Sequence, residues 1–240
     1  MLRLAFLLLF LSATSALAQA NSDADACNQP ATTQSEIEQK FAACTRAIES
    51  GSLSGKDLAQ AYISRGMTYG AKLDLDKAIA DFDAALKLSP DLVEALYERG
   101  MAYGMKNDYA RATDDFTAAI AQDPKLARAY NGRCYSLAIL GNLDRAMSDC
   151  DESLALEPNV PYTLDSRAFV FLKTGNLRRA VADYDLALQI DPKLPESLYG
   201  RGIAKMRLGK KQDGDQDLAA ARDIDSGIDA RMKQIGLAPP

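Results

Sequence analysis

Residues 93–126 read VEALYERGMAYGMKNDYARATDDFTAAIAQDPKL, and most of the chain can be laid on this stretch at a fixed step of 34 residues. Arg99-Gly100 recurs as Arg65-Gly66 one step earlier and as Arg201-Gly202 three steps later, with Arg133-Cys134 and Arg167-Ala168 in the two places between. Three residues after the small residue stand Tyr69, Tyr103, Leu137 and Phe171. Twelve after it stand Ala78, Ala112, Ala146 and Ala180. Sixteen after it stand Phe82, Phe116, Cys150, Tyr184 and Leu218, and nineteen after it Ala85, Ala119, Ser153, Ala187 and Ala221. Pro90, Pro124, Pro158 and Pro192 close four of the units, and Ser226 takes that place in the fifth. A fixed period of this length is the mark of a repeat architecture.

Within each unit, apolar residues recur twice at helical intervals of three and four, with a break between. Gly141, Gly175 and Gly209 mark the break, with Asn107 at the equivalent place. Glycine or asparagine in the left-handed conformation ends a helix. The first unit carries Leu73 there, which is unfavourable at positive φ, so a different turn is expected. Small residues at the Gly66, Ala78 and Ala85 positions let two helices approach, leaving the aromatic at the Phe82 position to fill the gap to the next pair. Proline then stops the second helix, because the residue before it avoids the helical region. Helices of about a dozen residues are marginal alone, so stacking must supply their partners.

The pattern of aromatic or leucine, small residue, tyrosine, alanine, phenylalanine, alanine and proline resembles the tetratricopeptide (TPR) family over residues 59–226. The units are 59–92, 93–126, 127–160, 161–194 and 195–228. The tryptophan common early in the family's first helix is replaced by Tyr62, Leu96, Tyr130, Leu164 and Leu198. The resemblance implies an all-α, right-handed solenoid of five helix-turn-helix repeats whose first helices line a concave groove for partners. Capping helices are expected at both ends. Residues 35–50, with Ile37, Phe41, Cys44 and Ile48 on one face, read as the second helix of a missing unit, preceded by a tail over 19–34. Lys205, Lys211 and Gly214 degrade the fifth repeat, and Ile228 to Ile235 form a short closing helix within the C-terminal cap and tail, 227–240.

The first residues bear on compartment. Arg3, the apolar run Leu4 to Leu11 and the ending Ala16-Leu17-Ala18 have the layout of a cleavable secretory signal over 1–18. The apolar run is too short to span a membrane. Cleavage would remove Arg3 and no acid, leaving 27 of the 28 bases against 33 acids, a net charge of −6 for a periplasmic or secreted chain. Such a balance discounts nucleic acid and anionic membranes as partners. Histidine and tryptophan are absent, and no CxxC pair occurs. Without histidine the usual general base and metal ligand is missing, so no catalytic residue, metal or cofactor is expected. The adjacent acids Asp114 and Asp115 point apart on a helix and make a poor acid–base couple.

Four cysteines in an exported chain suggest two disulfides, with three pairings open. The TPR resemblance favours one of them. Cys134 falls at the small-residue position of a first helix and Cys150 at the aromatic position of the second, which face each other in a TPR hairpin. Cys27 then pairs with Cys44. Free buried thiols are the alternative.

Two further series run at the repeat period: Arg65, Arg99, Arg133, Arg167 and Arg201, and Asp81, Asp115, Asp149, Asp183 and Asp217. An anion-binding strip is one reading. Structural ion pairs are the better one, because a buried arginine needs a partner and the series run in lockstep. The expected pairing joins one repeat to the next, Asp81 with Arg99 and so on.

The resemblance places the partner-facing residues on the first helices at Ile63 and Met67, Tyr97 and Met101, Asn131 and Tyr135, Asp165 and Phe169, Tyr199 and Ile203. Met105, Ile139, Leu172 and Met206 lie one turn further, and Tyr162 on the N-terminal side. If open, a face so rich in Tyr, Met, Ile and Phe marks a contact surface. The basic clamp that some TPR domains use for acidic C-termini is not present, since Asn131 and Asp165 stand there. An apolar or amphipathic partner segment is the expected ligand, and the chain a protein-binding scaffold. The alternatives are a groove filled by the chain's own terminal segments, and a self-assembling homo-oligomer.

Overall fold

The computed structural model describes residue 19 and residues 22–240, so the expected secretory segment 1–18 lies outside the described residues. All regular elements among the described residues are helical. The chain divides into two compact units, Met1–Asn107 and Asp108–Pro240.

The N-terminal unit holds a helical stretch over residues 22–28, then α1 (Gln34–Glu49), α2 (Gly55–Ala71), α3 (Leu75–Leu88) and α4 (Val93–Met105). Each labelled helix packs on the next, and α2 also touches α4. Thr33 caps α1 reciprocally with Glu36: its hydroxyl accepts from the Glu36 amide at 3.2 Å, and the Glu36 carboxylate accepts from the Thr33 amide at 2.9 Å. Backbone amides of Thr32 and Thr33 hold that carboxyl down to about 2. The segment 19–34 is therefore more than a tail. Asp23 accepts from Arg46 Nε and from one terminal guanidinium nitrogen, the closer at 2.7 Å, and a disulfide joins Cys27 to Cys44, so the stretch 22–28 lies against α1.

The C-terminal unit runs α5 (Tyr109–Gln122), α6 (Ala127–Ile139), α7 (Leu143–Leu156), α8 (Pro161–Lys173), α9 (Leu177–Ile190), α10 (Pro195–Arg207), α11 (Lys211–Ile224) and α12 (Ile228–Gln234). Consecutive helices α5 to α11 pack on one another, α6 meets α8, α8 meets α10, and α12 rests on α10 and α11. Pro161 and Pro195 occupy the first helical positions, where their missing amide costs nothing. Ser89, Asp123, Glu157 and Asp191, each before a proline, are extended at φ −150°, −129°, −132° and −129°. Asp225 is equally extended at −138° before Ser226, so packing of the unit imposes this exit even without proline.

Close approach explains the small-residue positions. A methyl on Gly66 would sit 2.7 Å from the Phe82 ring of the same hairpin, and one on Gly200 would sit 2.3 Å from Tyr184 of the preceding hairpin. The ring at this position therefore plugs its own hairpin and the start of the next. In the third repeat the same two positions carry Cys134 and Cys150, joined by a disulfide.

The turn at Leu73 does not differ from the others. Leu73 stands at φ 61°, as Asn107 does, beside Gly141 at 86°, Gly175 at 77° and Gly209 at 81°. Asp74 donates its amide back to the Tyr69 carbonyl at 3.0 Å, as Asn142 does to Leu137 at 2.9 Å, so the hairpin geometry overrides the residue's preference.

The ion pairs are connected otherwise than the period suggests. Arg65 grips Asp81 of its own hairpin with two nitrogens at 2.8 and 2.7 Å, and Arg133–Asp149, Arg167–Asp183 and Arg201–Asp217 repeat this grip. The antiparallel helices of one hairpin put these two positions side by side, next to the small-residue and ring pair. The step to the preceding repeat is made two residues beyond the aspartate: Arg99 to Asp83, Arg167 to Asp151 and Arg201 to Asp185, with Thr117 accepting from Arg133. Asp81 and Asp183 are buried, and the bidentate arginine gives both oxygens of each a hydrogen-bond partner.

Candidate protein-binding faces

The first helices of the N-terminal unit, α2 and α4, present Met67, Met101 and Met105 to solvent, at 40%, 39% and 50% exposure. Tyr97 is half-buried beside them. Among the described residues, a methyl on Gly70 or Gly104, one turn along, would meet nothing within 4 Å. Ile63 is buried, contrary to the expectation of an open face. The helical stretch 22–28 is the physical reason: Asn28 accepts from Ser64 at 3.2 Å and Cys27 Sγ lies 3.9 Å from the Ala61 carbonyl, on either side of Ile63 in sequence.

The C-terminal unit treats the same positions differently. Phe169 and Ile203, equivalent to Met67 and Met101, are only 2% and 0% exposed. Tyr199 and Leu172 are buried too, while Asn131, Tyr135, Ile139, Asp165 and Met206 are half-buried and Tyr162 is exposed. This half of the expected open face is therefore closed at Phe169, Leu172, Tyr199 and Ile203 and partly open elsewhere. Rings run along it: Tyr109 meets Tyr135 edge-on at 6.3 Å, and Tyr135 meets Phe169 at 5.9 Å. The Lys173 ammonium lies 5.2 Å from the Phe169 ring centre, and burial pulls its pKa down.

Polar groups gather on this face. Ser197 donates to the Asp165 carboxylate at 2.6 Å. Burial, opposed by that hydrogen bond and aided by the charge of Glu196, pushes Asp165 up to about 7. The side-chain Oδ1 of Asn131, one repeat before, is enclosed and finds no hydrogen-bond partner among the described residues. Burial, with Tyr109, Asp165 and Glu196 adding to it, carries the Tyr135 phenol far above its ordinary value. Tyr199 donates to Asp229 at 2.9 Å, and burial with that contact pushes its phenol up to about 12. Arg231 reaches Glu196 at 2.5 Å.

Glu196, Ser197, Asp229 and Arg231 belong to the inner face although their positions carry no repeat signature. Only the spacing of Ile228, Met232 and Ile235, a helical stripe past the last repeat, hints that the end of the chain returns to it. Among the described residues no group of His, Cys, Asp or Glu is arranged to hold a metal, and no helix is long and apolar enough to cross a membrane.

Comparison with known proteins agrees with this architecture. A model of the TPR repeat matches residues 59–107, and tetratricopeptide-repeat models match 93–126 and 164–194. Residues 59–126 and 164–194 are thus tetratricopeptide repeats. Among solved structures the chain is similar to YrrB, described as a TPR protein with an unusual peptide-binding site, at 21% identity over 76% of this chain and 92% of that one, with a TM-score of 0.56. TTC0263, a thermophilic TPR protein from Thermus thermophilus, aligns at 20% identity over 73% and 96% of the two chains, TM-score 0.62. A MamA fragment from Desulfovibrio magneticus aligns at 15% identity over 73% and 99%, TM-score 0.60. No curated protein sequence matches the chain.

Proposed function

We propose that this protein is a non-catalytic binding scaffold of the cell envelope that holds an apolar or amphipathic segment of a partner protein on the inner faces of its first helices. The observation that carries the reading is the exposed trio Met67, Met101 and Met105 on α2 and α4. Methionine is flexible and polarisable, so a cluster of it at a surface suits partners of varied shape. A neighbour of the same fold is described by its peptide-binding site, which supports the same use of this scaffold. Export is supported by the signal-like first 18 residues and by two disulfides, which persist in oxidising compartments.

A photo-crosslinking amino acid placed at position 101 of the full chain, expressed in the bacterial envelope, tests this. A discrete adduct with a second protein is expected, and it should disappear when Met67 and Met105 are both changed to glutamate. Adducts equally strong from a solvent-facing position such as 87, or none at all, would overturn the assignment of the face. An adduct of twice the chain's own mass would point to self-assembly instead.

A further inference from the structure

We propose that residues 227–237 are a built-in ligand of the C-terminal unit, occupying the inner face of α10 and yielding it to a competing amphipathic helix that carries a basic residue. The proposal rests on the reading of the first-helix faces as binding surfaces.

The segment has the features of a bound peptide. Ile228, Met232 and Ile235 repeat at intervals of four and three, and all three are buried. Gly236 then turns at φ 81°, Leu237 donates its amide to the Met232 carbonyl at 2.9 Å, and the Leu237 side chain folds back to be buried as well. These four side chains join one apolar cluster with Phe169, Leu172, Tyr199 and Ile203. Polar contacts set the orientation: Asp229 accepts from Tyr199 and from Arg222, and Arg231 bridges Glu196 and Asp225.

A simple cap would only need to cover the outer end of the last hairpin. Here the covering lies on the inner face itself: Tyr199 and Ile203 of α10 are sealed, Tyr199 donates to Asp229, and Arg231 reaches Glu196 at the start of α10. Yet the helix that does this is only seven residues long, and its ion pairs with Arg222 and Glu196 are largely solvent-exposed. Short helices are marginal by themselves and exposed ion pairs hold weakly, so the segment is suited to release. The face it covers names its competitor. Apolar rings and Ile203 ask for three or four apolar side chains on one helical stripe. Glu196 and the half-buried Asp165 beside it ask for one cation in the place of Arg231.

A fluorescent synthetic peptide of residues 226–238 is the probe, and fluorescence anisotropy the measurement. The full oxidised chain is compared with the variant Met232→Asp, Leu237→Asp, whose own segment cannot stay down. The variant is expected to retain its helical circular dichroism and to bind the peptide at least tenfold more tightly than the parent. A peptide with Arg231→Glu should bind the variant at least threefold more weakly. Equal affinity for both chains, or a variant that loses its helical signal, would show the segment to be a permanent structural cap and overturn the proposal. A second variant, Arg231→Ala with Asp229→Ala, keeps every apolar contact. It should raise peptide affinity severalfold without loss of fold, and no change would count against the proposal. None of these readouts uses the methionine face of α2 and α4, so failure here leaves the crosslinking result standing, and failure there leaves this one.

Discussion

The two units use one repeat to opposite ends. In the N-terminal unit one position of each first helix is a methionine standing in solvent, Met67 on α2 and Met101 on α4. In the C-terminal unit the same position carries Tyr135 on α6, half-buried, and Phe169 on α8 and Ile203 on α10, both sealed. Framework positions are alike in the two: an arginine gripping the aspartate of its own hairpin, a ring or disulfide plugging the gap, a left-handed turn between the helices. The difference lies in what covers the first helices. Burial turns a face into core, and a surface that remains open keeps its apolar side chains available to another molecule.

The contrast is tested most sharply by the same substitution in both units. Phe169→Ala should cost about 3–4 kcal/mol of unfolding free energy, since a filled, fully buried aromatic site collapses poorly. Met101→Ala should cost less than about 0.5 kcal/mol, because an exposed side chain leaves no cavity. Urea denaturation followed by circular dichroism reads both. Similar costs at the two positions would mean that the inner faces are alike and the comparison is wrong.

Acid chemistry separates the units next. Asp165 of the C-terminal unit is held up to about 7 by burial, next to Glu196 and Tyr135 and with Ser197 as its hydrogen-bond donor. Its folded pKa lies above the unfolded value of 3.8, so the folded state binds the proton more tightly. The contribution is then most favourable below about pH 4, falls as pH rises towards 7, and stays lost above it. Asp165→Asn removes this dependence. At pH 8 it should raise stability by about 2 kcal/mol, a value discounted from the full shift because the residue keeps some solvent access. At pH 4 it should be near neutral. Denaturant melts at the two pH values decide it, and an asparagine variant equally destabilised at both would show that Asp165 works as a charged group.

Much of this architecture is legible in the sequence, and what is not has physical causes. The period of 34, the helix pairs and the proline exits follow from local rules, and the cysteine pairing follows once the hairpin positions are known. The arginine's partner is not legible, because two series of equal period can be joined within a repeat or between repeats without changing the pattern. Only the packing of antiparallel helices makes Arg65 meet Asp81 and leaves Asp83 to Arg99. The closure of Tyr199 is hidden too. It depends on where a tail outside the repeat comes to rest, and the stripe Ile228, Met232, Ile235 says that the segment is helical without saying which surface it covers. Ile63 escapes for a like reason, since the stretch 22–28 lies outside the repeat that defines its position.

The smallest expected effect lies in the turns. Four of the five repeats put Gly or Asn in the left-handed position between their helices, and the first puts Leu73 there at φ 61°. A side chain with a Cβ pays about 1 kcal/mol for that conformation, which glycine does not. Leu73 is 70% exposed, so little apolar contact is lost by removing it. Leu73→Gly should therefore stabilise the N-terminal unit by about 0.5–1 kcal/mol, while Gly175→Leu in the C-terminal unit should destabilise by a similar amount. Hydrogen exchange of the α2 and α8 amides would read the two changes separately, each in its own unit. If Leu73→Gly is instead destabilising, Leu73 makes a contact that holds the first hairpin closed, and the open methionine face beside it would owe its shape to a leucine that the repeat pattern treats as a misfit.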